Sequence, residues 1–145
     1  MLNTLAKLSR VGFNRHSLTM DDFYKLCAHE DITVLFEDID SSFYMKVDEF
    51  KFIVLSKKLS AFETIYTAFH ELCHAMLGQH QPVRACFFGL DDSEEEQLAN
   101  DFATIAIMPQ RGVCNTAAFI ETNGVSELAM RMYARRVWIY EHWGI

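Results

Sequence analysis

Three residues in one short stretch have the types and spacing of a hydrolytic metal site. Within Ala68-Phe69-His70-Glu71-Leu72-Cys73-His74-Ala75-Met76-Leu77, His70, Glu71 and His74 spell H-E-x-x-H. On an α-helix, side chains four residues apart lie nearly above one another, so the two imidazoles can close on one metal ion. Glu71 follows His70 by about 100° around the helix. Its carboxylate then stands beside the metal, where it can take a proton from a bound water. The pattern predicts a zinc hydrolase. From Ser60 to Leu77 the chain holds neither Gly nor Pro, and Gly78 follows as a natural helix end. Ile65, Ala68, Phe69, Leu72, Ala75 and Met76 fall at helical spacing and should bury one side of that helix.

Two imidazoles do not complete a catalytic zinc site, which takes three protein ligands and keeps the fourth position for water. The next turn of the helix offers no His, Asp or Glu, so a third donor must come from another element. His80 lies beyond Gly78 and is expected on a loop. The stretch from Ser93 to Ala103 reads as a second helix, with Ser93 at the N-cap and Glu96 as its capping-box partner. Leu98, Phe102 and Ile105 would form its apolar stripe. Ala99, Ala103 and Ala106 are small enough for close packing.

The combination His70-Glu71-Leu72-x-His74, then Glu96-x-x-Ala99-Asn100-x-Phe102-Ala103 and Met108-Pro109, resembles the ImmA/IrrE metallopeptidases, from about Ser41 to Arg131. That family is similar to thermolysin in placing two His on one helix and a Glu on the next. The resemblance implies Zn²⁺ held by His70, His74 and Glu96, with Glu71 as catalytic base. Asn100, one turn after Glu96, would hold a ligand histidine in its tautomer. The chain departs from the family pattern in three places. Cys73 replaces the small residue usual inside the motif, and Ile105-Ala106-Ile107 replaces a leucine pair before Met108-Pro109. No basic residue stands between Glu63 and Phe69. The resemblance further implies hydrolysis of a peptide bond in a protein partner, typically a DNA-binding repressor of a mobile-element or stress-response switch. The chain leaves no room for a helix-turn-helix domain, so that repressor is expected to be a separate protein. The competing expectation is a non-catalytic regulatory or antitoxin-type binding module, which would have no need of Glu71.

The bounds fit one domain spanning residues 1–145, half of them apolar. A formal net charge of −7 argues against direct nucleic-acid binding, although Arg131, Arg135 and Arg136 form a local basic patch. Cys27, Cys73, Cys86 and Cys114 show no C-x-x-C pairing. There is no signal-like apolar segment at the N-terminus and no run long enough for a membrane span. A cytoplasmic location with free thiols is therefore expected. Cys73 is expected to be a plain buried thiol rather than a ligand or redox-sensitive neighbour.

The elements that must position the site can be read in order. Leu2, Leu5 and Leu8 hint at an opening helix, interrupted by Gly12 and Asn14. Thr19 should cap a helix from Met20 to His29, burying Phe23, Leu26 and Cys27. Ile32 to Asp38 is rich in β-branching and predicts a strand. Phe43 to Val47 and Phe50 to Leu55 predict a hairpin turning at Asp48-Glu49. The second of these strands is a candidate edge for an extended substrate. Ser60 or Thr64 should cap the metal helix. The loop from Gly78 to Asp92 carries Phe87 and Phe88. Pro109 ends the second ligand helix. A further helix begins near Asn115 and closes at Asn123-Gly124. Ser126 caps a last helix to about His142, with Leu128, Met132, Val137 and Ile139 apolar and Trp138, Tyr140 and Trp143 as packing residues. The fold class is α+β: a minimal zincin-like fold, its small three-stranded sheet packed on the H-E-x-x-H helix, with the second ligand helix and a helical C-terminal part. Candidate oxyanion or substrate contacts are Tyr66, His80, Tyr133, Tyr140 and His142.

Overall fold

A computed structural model describes residues 12–78, 93–109 and 127–143. Expectations for the opening helix, His80, Phe87, Phe88 and the segment from Asn115 to Ser126 lie outside these residues. Helix α1 (Met20–His29) starts at Thr19 in a reciprocal capping box: Thr19 accepts from the Asp22 backbone N–H and Asp22 accepts from that of Thr19. Phe23, Leu26 and Cys27 are buried, as their spacing demands. Just before it, Ser17 and Leu18 donate hydrogen bonds to the carbonyls of Ile107 and Ala106.

Strands β1 (Ile32–Glu37), β2 (Phe43–Val47) and β3 (Phe50–Ser56) form one sheet in the order β1-β3-β2. β3 runs parallel to β1, with Val34 opposite Ile53, and antiparallel to β2, with Tyr44 opposite Ile53. The hairpin turns at Asp48, whose φ of 54° is a left-handed conformation that Asp tolerates without glycine. One expectation is overturned. β3 is the middle strand, its hydrogen-bonding groups taken on both sides, so it cannot accept an added strand. Its continuous apolar run, Phe52-Ile53-Val54-Leu55, is the mark of a central strand, and Ile53, Val54 and Leu55 are buried. β2 is an edge.

Helix α2 (Ala61–Met76) is capped by Ser60, which exchanges hydrogen bonds with Glu63 at 3.2 Å each way. Thr64 instead donates to the Ser60 carbonyl. Ala68, Phe69, Leu72 and Cys73 are fully buried, and Phe69 meets Phe23 edge-on. Helix α3 (Ser93–Ile107) lies along α2 with Ala99, Phe102, Ala103, Ile105 and Ala106 fully buried. Three alanines on that face let the helix axes come close, since interaxial distance follows side-chain size at the contact.

Helix α4 (Glu127–Trp143) closes the assembly. It buries Ala129, Met132 and Ile139, but Val137 is 57% exposed. Five residues beyond Met132 is about 140° around a helix, so Val137 is off the buried stripe. Trp138 is also mostly outward. It stacks on His142 and lies under the Arg135 guanidinium rather than entering the core. Arg135 makes two bonds to the buried Asp101 of α3, and Arg136 donates to Tyr140 and to the Pro109 carbonyl. Two of the three arginines of the basic patch therefore tie α4 to α3. No helix among the described residues is long and apolar enough to cross a membrane.

The Ser60 cap is a local device with a measurable share of stability. Ser60→Ala should lower the unfolding free energy by about 1 kcal/mol, seen as a shift of the urea midpoint with unchanged slope.

Candidate metal centre

The two metal-motif histidines project from the last two turns of α2, and Glu96 comes from the first turn of α3. His70 Nε2 and His74 Nε2 are 3.2 Å apart. One Glu96 oxygen lies 3.1 Å from His70 Nε2, the other 2.9 Å from His74 Nε2. One donor atom from each residue falls within 4.8 Å of the others. The Glu96 carboxylate is thus turned to the imidazoles and not back to Ser93. Ser93 is itself the first helical residue, which corrects the capping box expected there.

The tautomer of His70 is settled by its neighbour. Its Nδ1 lies 2.8 Å from Asn100 Oδ1. A carboxamide oxygen only accepts, so Nδ1 carries a hydrogen, and Nε2, facing Glu96 and His74, is the nitrogen a cation would take. Tyr66 donates its hydroxyl hydrogen to the same Asn100 oxygen at 3.0 Å.

These donors suit a small divalent cation. Two imidazole nitrogens and a carboxylate converge, and a cation among them would take the place of the hydrogens the imidazoles give to Glu96. Donors each about 2.05 Å from a tetrahedral ion stand roughly 3.3 Å apart, close to the 3.2 Å between the imidazole nitrogens. His/His/carboxylate is a borderline-hard set that suits zinc and its first-row neighbours.

Glu71 stands next to this cluster, its Oε1 4.0 Å from His70 Nε2. Burial pushes its carboxyl up from 4.5 to about 7; the two imidazoles oppose the rise, the Glu96 charge adds to it, and a hydrogen bond from the Tyr44 backbone lowers it. Glu96 moves the other way: hydrogen bonds from His70 and His74 hold its carboxyl far below the usual range, against the cost of partial burial. Cys73, although inside the motif, is fully buried in the core. Its thiol is pushed up to about 12 by burial and by the charges of Glu71 and Glu96.

The residue pattern and the family comparison meet here. Residues 27–118 match the family model described as Peptidase_M78, IrrE N-terminal-like domain. The chain belongs to this family. The M78 match covers most of the chain, from the end of α1 through both ligand helices, and it carries a metallopeptidase-like function. No curated protein and no solved structure matches the chain.

Against that M78 frame, the candidate oxyanion donors need correction. Tyr66 is turned to the Nδ1 side of His70, its hydrogen given to Asn100. Tyr140 donates to the carbonyl of Met108, twelve residues and about 18 Å along α3 from Glu96. His142 bonds its own helix at the Trp138 carbonyl, and Tyr133 is on the outer face of α4. None of these four is brought to the imidazole pair, and His80 lies outside the described residues. Two features escaped sequence reasoning. The Tyr44 backbone N–H has no sequence signature. The Asp101–Arg135 pair does leave a trace: an acid set among the buried positions of α3.

Two outcomes follow from this geometry. Asn100→Ala should weaken metal binding roughly 10–100-fold, measured by competition with a chromophoric chelator. The raised Glu71 carboxyl means that folding takes up a proton between pH 4.5 and about 7, so its contribution to stability falls as pH rises through that window. Glu96 acts in the opposite sense and is present in both proteins. Metal-free Glu71→Gln should therefore gain stability over metal-free wild type as pH goes from 4.5 to 7, then hold that gain, in urea unfolding across the pH series.

Proposed function

We propose that this M78 protein is a zinc-dependent endopeptidase in which His70, His74 and Glu96 hold the ion and Glu71 is the general base. The single observation that carries the proposal is the meeting of three donors from two helices beside a buried carboxylate. When bound, the ion supplies Lewis acidity, polarising the scissile carbonyl and bringing a water pKa near neutrality. The protein's own part is proton handling and positioning. Glu71 accepts a proton from the attacking water and returns it to the departing amine nitrogen. Its basicity near neutral pH follows from burial, and the Tyr44 N–H holds the carboxylate in place. Asn100 fixes His70 with Nε2 directed at the ion, and Tyr66 in turn fixes Asn100.

Substrate binding is assigned to β2. This edge strand gives a backbone N–H to Glu71, so its outer side lies beside the site. An extended peptide can pair there through main-chain hydrogen bonds, with modest side-chain demands. Family membership supports a protein substrate, and the reading extends to a separate DNA-binding transcriptional repressor cleaved within a mobile-element or stress-response switch. The two buried free thiols, Cys27 and Cys73, suit a reducing cytoplasm. A purely regulatory binding module is disfavoured by Glu71, because a structural ion needs no base next to it.

Two variants separate the roles. Glu96→Ala should lose zinc by metal analysis of the purified protein. Glu71→Gln should keep zinc and lose about 10²–10⁴ in peptide hydrolysis. Wild-type activity in Glu71→Gln would exclude the mechanism. Full zinc retention in Glu96→Ala would move the third ligand to Glu94, Glu95 or Cys86.

A further inference from the structure

On the Nδ1 side of His70, three helices flank a half-open cavity of about 270 Å³. Tyr66 of α2, Asn100 and Asp101 of α3, and Arg131, Met132 and Arg135 of α4 are among its walls. The polar groups there are unevenly matched. Asp101 takes two hydrogen bonds from Arg135, which leaves that pair neutral. Arg131 has no hydrogen bond or ion pair with any described residue. Asn100 spends its oxygen on Tyr66 and His70, while its two amide hydrogens have no partner among the described residues. In a chain of net charge −7, a guanidinium and a carboxamide N–H₂ with no partner among the described residues thus line a cavity large enough for a small molecule.

We propose that this cavity binds a small oxyanion, a carboxylate or phosphate, on the Arg131 guanidinium and the Asn100 amide, and that the bound anion tightens metal binding at His70. A planar guanidinium matches two oxygens at once, and charge-assisted bonds are stronger than neutral ones. An anion on the N–H₂ side of Asn100 polarises the amide and puts more negative charge on Oδ1. The hydrogen bond from His70 Nδ1–H then strengthens, and Nε2 becomes the better donor to a cation. By linkage, the metal must tighten anion binding by the same factor. The anion site stands independently of the peptidase reading, whereas the coupling rests on His70 being a metal ligand.

The test starts with metal-free full-length protein, titrated separately with inorganic phosphate and with acetate by calorimetry. One saturable site is expected, and the stronger of the two arms identifies the anion chemistry. Arg131→Ala, an exposed position whose loss should not disturb folding, should weaken binding roughly ten- to hundredfold. Lys25→Ala removes the same charge from α1 and should leave affinity unchanged. Chelator competition with the anion present and absent then reads the coupling: metal affinity should rise in wild type and stay constant in Arg131→Ala. Absence of saturable binding of either anion, or equal affinities in the Arg131→Ala and Lys25→Ala proteins, would overturn the site. Anion binding without any change in metal affinity would overturn the coupling. Because the first measurement uses no metal and no substrate, its failure is distinguishable from failure of the ligand set, which Glu96→Ala reports.

Discussion

A single carboxylate bridging two imidazoles across a helix–helix contact sets the constraint under which the rest of the chain is arranged. Glu96 reaches His70 and His74 at 3.1 and 2.9 Å only because α3 lies close along α2. That approach depends on Ala99, Ala103 and Ala106, whose small side chains are fully buried at the contact. The register matters as much as the distance. A slip of one residue in α3 would swing Glu96 by about 100° and take Asn100 with it, whereas metal sites tolerate only about 0.2 Å in their donor distances. The other elements hold this register. The sheet backs α2, Ser17 and Leu18 bind the carbonyl end of α3, and Arg135 fastens α4 to Asp101 in its middle.

Much of this was legible in the sequence because the decisive signals are local. H-E-x-x-H fixes which faces of α2 carry chemistry, Ser60 and Gly78 mark its ends, and the alanines of α3 announce a close partner. Thr19 and the helix it starts are legible residue for residue. What escaped depends on groups distant in sequence. Strand order cannot be read from a hairpin alone: β3 is a candidate edge by sequence, although its apolar run suits the centre it occupies. Glu96 shows the ambiguity of one residue type at one position: three residues after a Ser it reads as a cap, while the fold turns it to the histidines. Tyr66, Tyr140 and His142 have the right chemistry for an oxyanion donor, but their partners, Asn100, Met108 and Trp138, are tertiary or helical facts that no spacing reveals. Val137 is apolar yet exposed, because its angle around α4 takes it off the buried stripe.

The centre also places two carboxylates beside the same imidazole, His70, under opposite influences. Glu96 is stabilised in its charged form by two imidazoles, whereas Glu71 is driven toward its neutral form by burial. Such divergence between neighbouring acids separates a group that stays ionised from one that exchanges protons near neutrality. The difference arises from position on the helices: Glu71 points into the sheet-covered side of α2, and Glu96 is about one-third exposed at the start of α3.

The bond from the Tyr44 backbone to Glu71 has a spectroscopic corollary. An amide on an edge strand ordinarily exchanges with solvent quickly, but this one is occupied by a buried carboxylate whose charge changes near neutral pH. Its nitrogen and proton resonances are therefore wired to the ionisation of the base, giving the molecule an intrinsic reporter that needs neither substrate nor label.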